Sequence, residues 1–203
     1  SLSGSDDGAG NRSSRIKITN NLFDDINGPA YGDLNIAGPN DGTFLKIGEP
    51  QDVWIDHNTI FQTGPITWAY AITNGFVYTH NITKSFISAG GYQGIYGPGQ
   101  AQGNNTLAHY FPDVTDINLH FNHNAQIGGD MNKYTNYNTV SQNFFPSTFS
   151  EVGFINYANG SADYHDFALG QESVYSGLSA DGSDLGVDFF QLDSAILQGR
   201  GCP

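Results

Sequence analysis

The sequence predicts an all-β fold, a parallel β-helix built as a single-stranded solenoid with an internal asparagine ladder, loop insertions and a C-terminal closing segment. Three observations predict it. The segment VWIDHNTI, residues 53–60, recurs in altered form as IKITNNLF, FVYTHNIT, LHFNHNAQ and NTVSQNFF, all sharing the pattern apolar-x-apolar-x-x-Asn. The aligned residues Asn21, Asn58, Asn81, Asn124 and Asn143 are separated by 37, 23, 43 and 19 residues. Intervals this unequal exclude helical solenoids of fixed repeat and suit short stacked strands joined by loops of differing length. Finally, 26 glycines and a charged fraction of only 13% favour a turn-rich β-protein over a helical one.

Each recurrence justifies its own strand. Alternation of period two sets Ile16 and Ile18, Val53 and Ile55, Phe76 and Tyr78, Leu119 and Phe121, and Val140 on the inward face. The chain must then turn, and an asparagine tolerates the left-handed conformation while its amide bonds neighbouring backbone. Stacked on successive rungs, the five asparagines would satisfy one another's buried amides. LFDDI and TIFQT follow the turn as second strands, and GTFLKIG, TWAYAIT and GIYG read as third strands. The longer intervals carry loops at 27–42 and 97–116, and such loops on a rigid scaffold are the usual places for ligand contacts. The whole chain, 1–203, reads as a single domain: 1–15 a loop or truncated edge, 16–156 the rungs, 157–203 the closing tail.

The segments RIKITNNLFDDINGPAYG, VWIDHNTIFQTG, GFVYTHNIT, NNTLAHYFPDV, NFFPSTFSEVGFINYANG and DFALGQESVYSGLSADGSDLGVDFFQL carry a family resemblance across nearly the whole chain. Together they resemble the bacterial right-handed parallel β-helix repeat proteins of the pectate-lyase-like superfold. The resemblance implies a right-handed solenoid, a tail that closes the last rung, and further rungs ahead of Ser1 in a longer secreted bacterial product. It brings no catalytic signature with it. A truncated solenoid end would need missing N-terminal rungs or a partner chain to cover it.

Charge narrows the partners. Seven Lys and Arg against 20 Asp and Glu give a net charge of −13, which repels nucleic acid and anionic polymers. No apolar run approaches the ~20 residues of a membrane span, so no membrane insertion is expected. The single cysteine, Cys202, has no partner for an internal disulfide. An extracellular or cell-surface location follows from composition and resemblance.

Candidate chemistry falls on the outward positions. Four residues before each ladder asparagine stand Lys17, Trp54, Val77, His120 and Thr139, and two before it Thr19, Asp56, Thr79, Asn122 and Ser141. Trp54 offers a flat platform for a sugar ring, with Lys17 and His120 as neighbouring ligand contacts. Glycoside hydrolysis needs two carboxyl groups about 5 to 9.5 Å apart, and Asp56 with Asp24 or Asp25 is the candidate pair. The scarcity of Lys and Arg weighs against an acidic-polymer lyase. One column just before the ladder reads Asn20, His57, His80, His123 and Gln142, and its three imidazoles could ligate a transition metal. Calcium is the alternative ion, at the acidic turns SDDGAGN or DGSDLGVD, although neither has full EF-hand spacing and a structural turn explains the second. The functional expectation is an extracellular carbohydrate-associated module, a glycoside hydrolase or lyase on a polysaccharide or oligosaccharide; the alternative is a non-catalytic structural or adhesion segment.

Overall fold

The computed structural model describes residues 11–33, 42–69, 73–84, 95–96, 120–134, 142–157 and 163–200. Short parallel strands dominate the first part of the chain: β1 (Ser14–Thr19), β2 (Leu22–Ile26), β3 (Leu45–Ile47), β4 (Gln51–Asp56), β5 (Thr59–Gln62), β6 (Thr67–Ala69), β7 (Val77–Thr79), β8 (Ile82–Lys84), β9 (Ile95–Tyr96), β10 (Phe121–Asn122) and β11 (Ala125–Ile127). Helices accompany them: α1 (Gly28–Tyr31), α2 (Phe149–Val152) and α3 (Phe189–Arg200), with 3₁₀ turns at Met131–Tyr134 and Tyr164–Phe167.

The strands make three sheets, ordered β1-β4-β7-β10, β11-β8-β5-β2 and β3-β6-β9. This corrects the all-β, right-handed solenoid class. Among the described residues the sheets are short, helices stand beside them, and no closed solenoid is shown, so the arrangement is α/β-like. The physical reason is that the recurring pattern specifies a strand, a turn and a pairing partner, and none of these dictates how separate sheets join. The tail shows the difference most clearly. Phe189, Leu192 and Ile196 recur at helical spacing, and within the segment read as a closing tail residues 189–200 form a twelve-residue helix.

Register within the first sheet follows the alternation. Ile16 pairs with Val53, and Ile18 with Ile55, which pairs in turn with Tyr78. Tyr78 then pairs with Phe121. Val53, Ile55, Phe76, Tyr78, Phe121 and Tyr134 are buried in one cluster with Leu45, Ile47 and Ile66 from the third-sheet side. Its aromatic rings stack in series, with Tyr78 and Phe121 centroids 5.9 Å apart and those of Tyr134 and Phe145 5.4 Å apart. A second cluster gathers Phe61, Ile82, Ala125 and Ile127 against Val152, Phe167, Tyr175 and Leu185, which packs the tail onto the second sheet. Leu119, Thr139, Val140, Ser141 and the 97–116 loop lie outside the described residues, as does half of the other long loop.

The five asparagines bond one to the next. Asn21 donates from its backbone N–H and its Nδ2 to Asn58 Oδ1 at 3.1 and 3.0 Å. Asn58 donates likewise to Asn81 Oδ1 (3.0 and 3.0 Å), Asn81 to Asn124 Oδ1 (3.0 and 3.2 Å), and Asn124 to Asn143 Oδ1 (3.1 and 3.0 Å). The remaining Nδ2 hydrogens reach strand carbonyls, such as Ile55 O from Asn81 and Tyr78 O from Asn124, at 2.9 Å each. One detail differs from expectation. The left-handed residue is the one before each asparagine: Asn20, His57, His80, His123 and Gln142 have φ of 55°, 51°, 54°, 50° and 50°. Asn and His are among the side chains that most often occupy this region, so the backbone itself explains part of the histidine column.

Replacing Asn81 with alanine removes the acceptor of Asn58 N–H and the amide donor to Ile55 O in a fully buried setting, while the backbone N–H at position 81 keeps its bond to Asn124 Oδ1. At roughly 1–3 kcal/mol per orphaned group, partly relieved by relaxation, Asn81→Ala is expected to cost about 3 kcal/mol in urea unfolding. The same change at partly exposed Asn21, which begins the row, should cost less than half as much.

Candidate functional site

Beside the turn column, the tail crosses the sheets. Gly186 N–H donates to His80 O (2.8 Å), Val187 N–H to Thr59 Oγ1 (3.2 Å) and Asp188 N–H to Asn20 Oδ1 (2.7 Å), while Asn20 Nδ2 returns a bond to Asp188 O (3.1 Å). Three consecutive residues thus step across three repeats, a strap running back beside the strands. Glycine is required at its start: φ of Gly186 is 76°, and a Cβ there would stand 2.4 Å from Thr59 Oγ1.

Strap and strands enclose a cavity of about 220 Å³ lined by Lys17, Thr19, Asn20, Asp56, His57, Asp181, Ser183, Asp188 and Gln191. At its inner wall Asp56 is held from several sides. Its Oδ1 accepts from Thr79 Oγ1 (2.7 Å) and His80 Nδ1 (2.8 Å), and its Oδ2 lies 3.1 Å from His57 Nδ1. Burial by itself would raise the Asp56 carboxyl, but the bonds from His57, His80 and Thr79 outweigh it and hold the group well below the usual carboxylate range. For His57, burial lowers and the bond and charge of Asp56, with Asp181 and Asp188 beyond, raise; the net shift is upward.

The outer ring nitrogens are also engaged. His57 Nε2 is 3.1 Å from Ser183 Oγ, and His80 Nε2 accepts the Ala180 N–H at 3.2 Å. Ser183 Oγ donates to Asp181 Oδ1 at 2.6 Å, and its N–H donates to the same oxygen at 3.0 Å. These bonds from Ser183 keep the Asp181 carboxyl below its ordinary value. The rings of His57 and His80 stack with centroids 4.6 Å apart.

The sequence candidates distribute as follows. Lys17 and Trp54 are paired across β1 and β4, with Lys17 Nζ 5.3 Å from the indole centroid and Trp54 47% exposed. Asp56 lies on the same strand as Trp54 and faces the cavity. His120, half-buried just before β10, does not line it. Asp24 and Asp25 lie on β2 in the second sheet and do not line it either. Asp25 instead accepts from Tyr31 OH at 2.5 Å, and burial leads the rise of the Asp24 carboxyl. The structure therefore does not bring Asp56 and these two carboxyls into one cavity.

Asp56, His57 and His80 offer ligand atoms all within 4.8 Å of one another, the spacing a metal ion would need. His123 is not in that group; its ring is 5.3 Å from that of His80 and its Nδ1 is 3.0 Å from Asn122 Oδ1. Because Ala180 N–H occupies His80 Nε2, the ring hydrogen sits on Nδ1, pointing at Asp56. A metal bound there would have to displace that hydrogen and break the strap contact. The chemistry of the donors therefore fits a hydrogen-bonded network better than a metal centre. The acidic tail turn is likewise committed to separate bonds: Asp184 accepts from Ser176 Oγ and Gly177 N–H, and Asp188 accepts from Gln191 N–H beside α3.

Thr79 occupies an outward position that sequence reasoning had placed, but its bond to Asp56 was not anticipated. Ser183 and Ala180 were missed altogether. Ser183 is 126 residues from His57, and nothing in local spacing connects them. No family model, no curated protein and no solved structure matches the chain. No helix among the described residues is long and apolar enough to cross a membrane.

The pH dependence of stability follows from the two opposed shifts. Asp56, depressed on folding, contributes fully above its ordinary value of about 3.9 and loses that contribution as pH falls through its folded value. His57, raised on folding, contributes fully below about 6.5 and loses it as pH rises through its folded value. The melting temperature is expected to be highest between about pH 4 and 6.5 and to fall on both sides. Asp56→Asn should flatten the acid limb in thermal scans followed by circular dichroism. Treatment with a chelator should leave the wild-type melting temperature unchanged.

Proposed function

We propose that the protein is a carbohydrate-binding module that takes a sugar unit or chain end of a neutral polysaccharide or oligosaccharide in the cavity between strap and strands. The observation that carries this reading is the lining. Two carboxylates held ionised, the amides of Asn20 and Gln191, and the hydroxyls of Thr19 and Ser183 face one space of about 220 Å³. Dense acceptors and donors of this kind suit a ligand made of hydroxyl groups, and the half-exposed indole of Trp54 stands against Lys17, which lines that space. The net charge of −13 favours a neutral glycan over an acidic one.

Binding is favoured over glycoside hydrolysis at this position. Hydrolysis needs a carboxyl group kept protonated near neutral pH, whereas Asp56 and Asp181 are both pushed the other way. A structural reading has its own support, since the strap uses Gly186, Val187 and Asp188 to tie three repeats together.

A glycan array followed by titration calorimetry separates the two. Under the binding reading, neutral oligosaccharides bind and uronic-acid polymers do not. Trp54→Ala then weakens affinity about tenfold, the equivalent of ~1.4 kcal/mol, without lowering the melting temperature. If no neutral glycan binds, the structural reading stands.

A further inference from the structure

Sugar binding draws on Asp56 and Ser183 separately and gives their alignment through His57 no role. Asp56 Oδ2, His57 Nδ1, His57 Nε2 and Ser183 Oγ lie in series, with 3.1 Å at each of the two contacts across the imidazole. We propose that Ser183, His57 and Asp56 form a nucleophile–base–carboxylate relay that transfers the acyl group of a small ester to water. The inference shares its cavity with the proposed glycan site but does not depend on glycan binding.

Such a relay is recognised by geometry and roles, whatever the order of its members along the chain. Asp56 is the positioning residue. Its second oxygen is fixed by Thr79 and His80, so the oxygen facing His57 Nδ1 cannot swing away, and the imidazole keeps Nε2 aimed at Ser183. His57 is held in the left-handed turn by the column described above, which fixes its backbone as well. Ser183 is half-buried, lines the cavity, and is anchored through its own N–H to Asp181. Lys17 is the only Lys or Arg among the lining residues and brings positive charge to the cavity wall.

In the resting form the Ser183 hydroxyl hydrogen points to Asp181 at 2.6 Å, and the carboxylates around His57 favour its charged form, with a hydrogen on Nε2 as well as Nδ1. Loss of the Nε2 hydrogen lets the hydroxyl turn to His57. Ser183 Oγ then bonds to the ester carbon, and its proton passes to His57 Nε2. The carbon–alkoxy bond breaks, and the alcohol leaves with that proton. Water repeats the sequence on the acyl-serine, releasing a carboxylic acid and restoring Ser183. No other co-reactant is needed.

The groups around His57 set the pH dependence. Asp56 precedes it on β4, the His80 ring stacks on it, Lys17 and Asn20 face it from β1 and its turn, and Asp181, Ser183 and Asp188 face it from the strap. Burial opposes its charge, but the carboxylates prevail and shift the ring upward, so turnover should rise with pH through one ionisation above about 6.5.

The test uses the whole chain with p-nitrophenyl acetate and with a fluorophosphonate probe read by peptide mass spectrometry. The expected result is probe attached to Ser183, and turnover at least ~100-fold above Ser183→Ala, the low end of what general-base assistance alone supplies. The comparison with Ser183→Ala removes background from other nucleophiles such as Cys202. Labelling of the unaltered protein keeps the test valid should Ser183→Ala loosen the strap. Absence of label on Ser183, or equal turnover in a folded Ser183→Ala protein, overturns the proposal. Glycan binding is read separately by calorimetry, so a failed relay and a failed glycan site give different outcomes.

Discussion

The row of asparagine bonds is the constraint on which the rest depends. From Asn58 onward each Asn Oδ1 accepts two hydrogens from the preceding asparagine, one from the backbone and one from the amide, and each Nδ2 then returns to a strand carbonyl. Every turn is thereby clamped to the next at a fixed height. Asn58, Asn81 and Asn124 are fully buried, where an unbonded amide would be expensive, so each asparagine requires its neighbours. The parallel registers of β1, β4, β7 and β10 and of β2, β5, β8 and β11 follow on either side of this seam.

A second consequence concerns the residue before each asparagine. The turn forces it to a positive φ, and in three of the five repeats that residue is histidine. The backbone requirement is general to the column, but what the imidazoles do is not. His57 and His80 converge on one carboxylate, Asp56, whereas His123 bonds Asn122 and has its ring pushed down by burial and by neighbouring His80. A column created by turn sterics has become a polar network at only two of its positions, the two where Asp56 lies within reach.

Much of the local structure was legible in the sequence because it is written in short-range patterns. The inward residues Val53, Ile55, Phe76 and Tyr78 follow from alternation, and the asparagine row from the recurrences. Trp54 and Lys17 on one outward face follow from register. The tertiary outcome was not legible. Alternation does not say whether sheets close on one another, and the helical spacing of Phe189, Leu192 and Ile196 lies outside the recurrences. The same limit explains the site. Asp56 and His57 were visible because they lie in the repeated segment, but Ser183 reaches His57 through a strap more than a hundred residues later. Asp24 and Asp25 were paired with Asp56 as carboxylates of neighbouring repeats, but they lie beyond the ladder turn, and the turn at Asn20 and Asn21 sends them to a different sheet.

The strap itself bears on whether the cavity is more than scaffold. Its docking is achieved by Gly186, Val187 and Asp188, whose backbone groups meet successive repeats and leave little for side chains to add. The preceding turn, from Asp181 to Ser183, lies outside that set of bonds. It could have been any polar turn and the strap would still be tied down. Instead it directs a carboxylate and a hydroxyl at His57, in a space open enough to admit a ligand and lined also by Lys17. Two roles are thus separated along a few residues of chain: one stretch holds the tail in place, and the stretch before it presents reactive groups to the wall that the asparagine row keeps rigid. A rigid wall bearing an oriented imidazole, faced by a hydroxyl on an anchored turn, is the preorganisation that binding and acyl transfer both require.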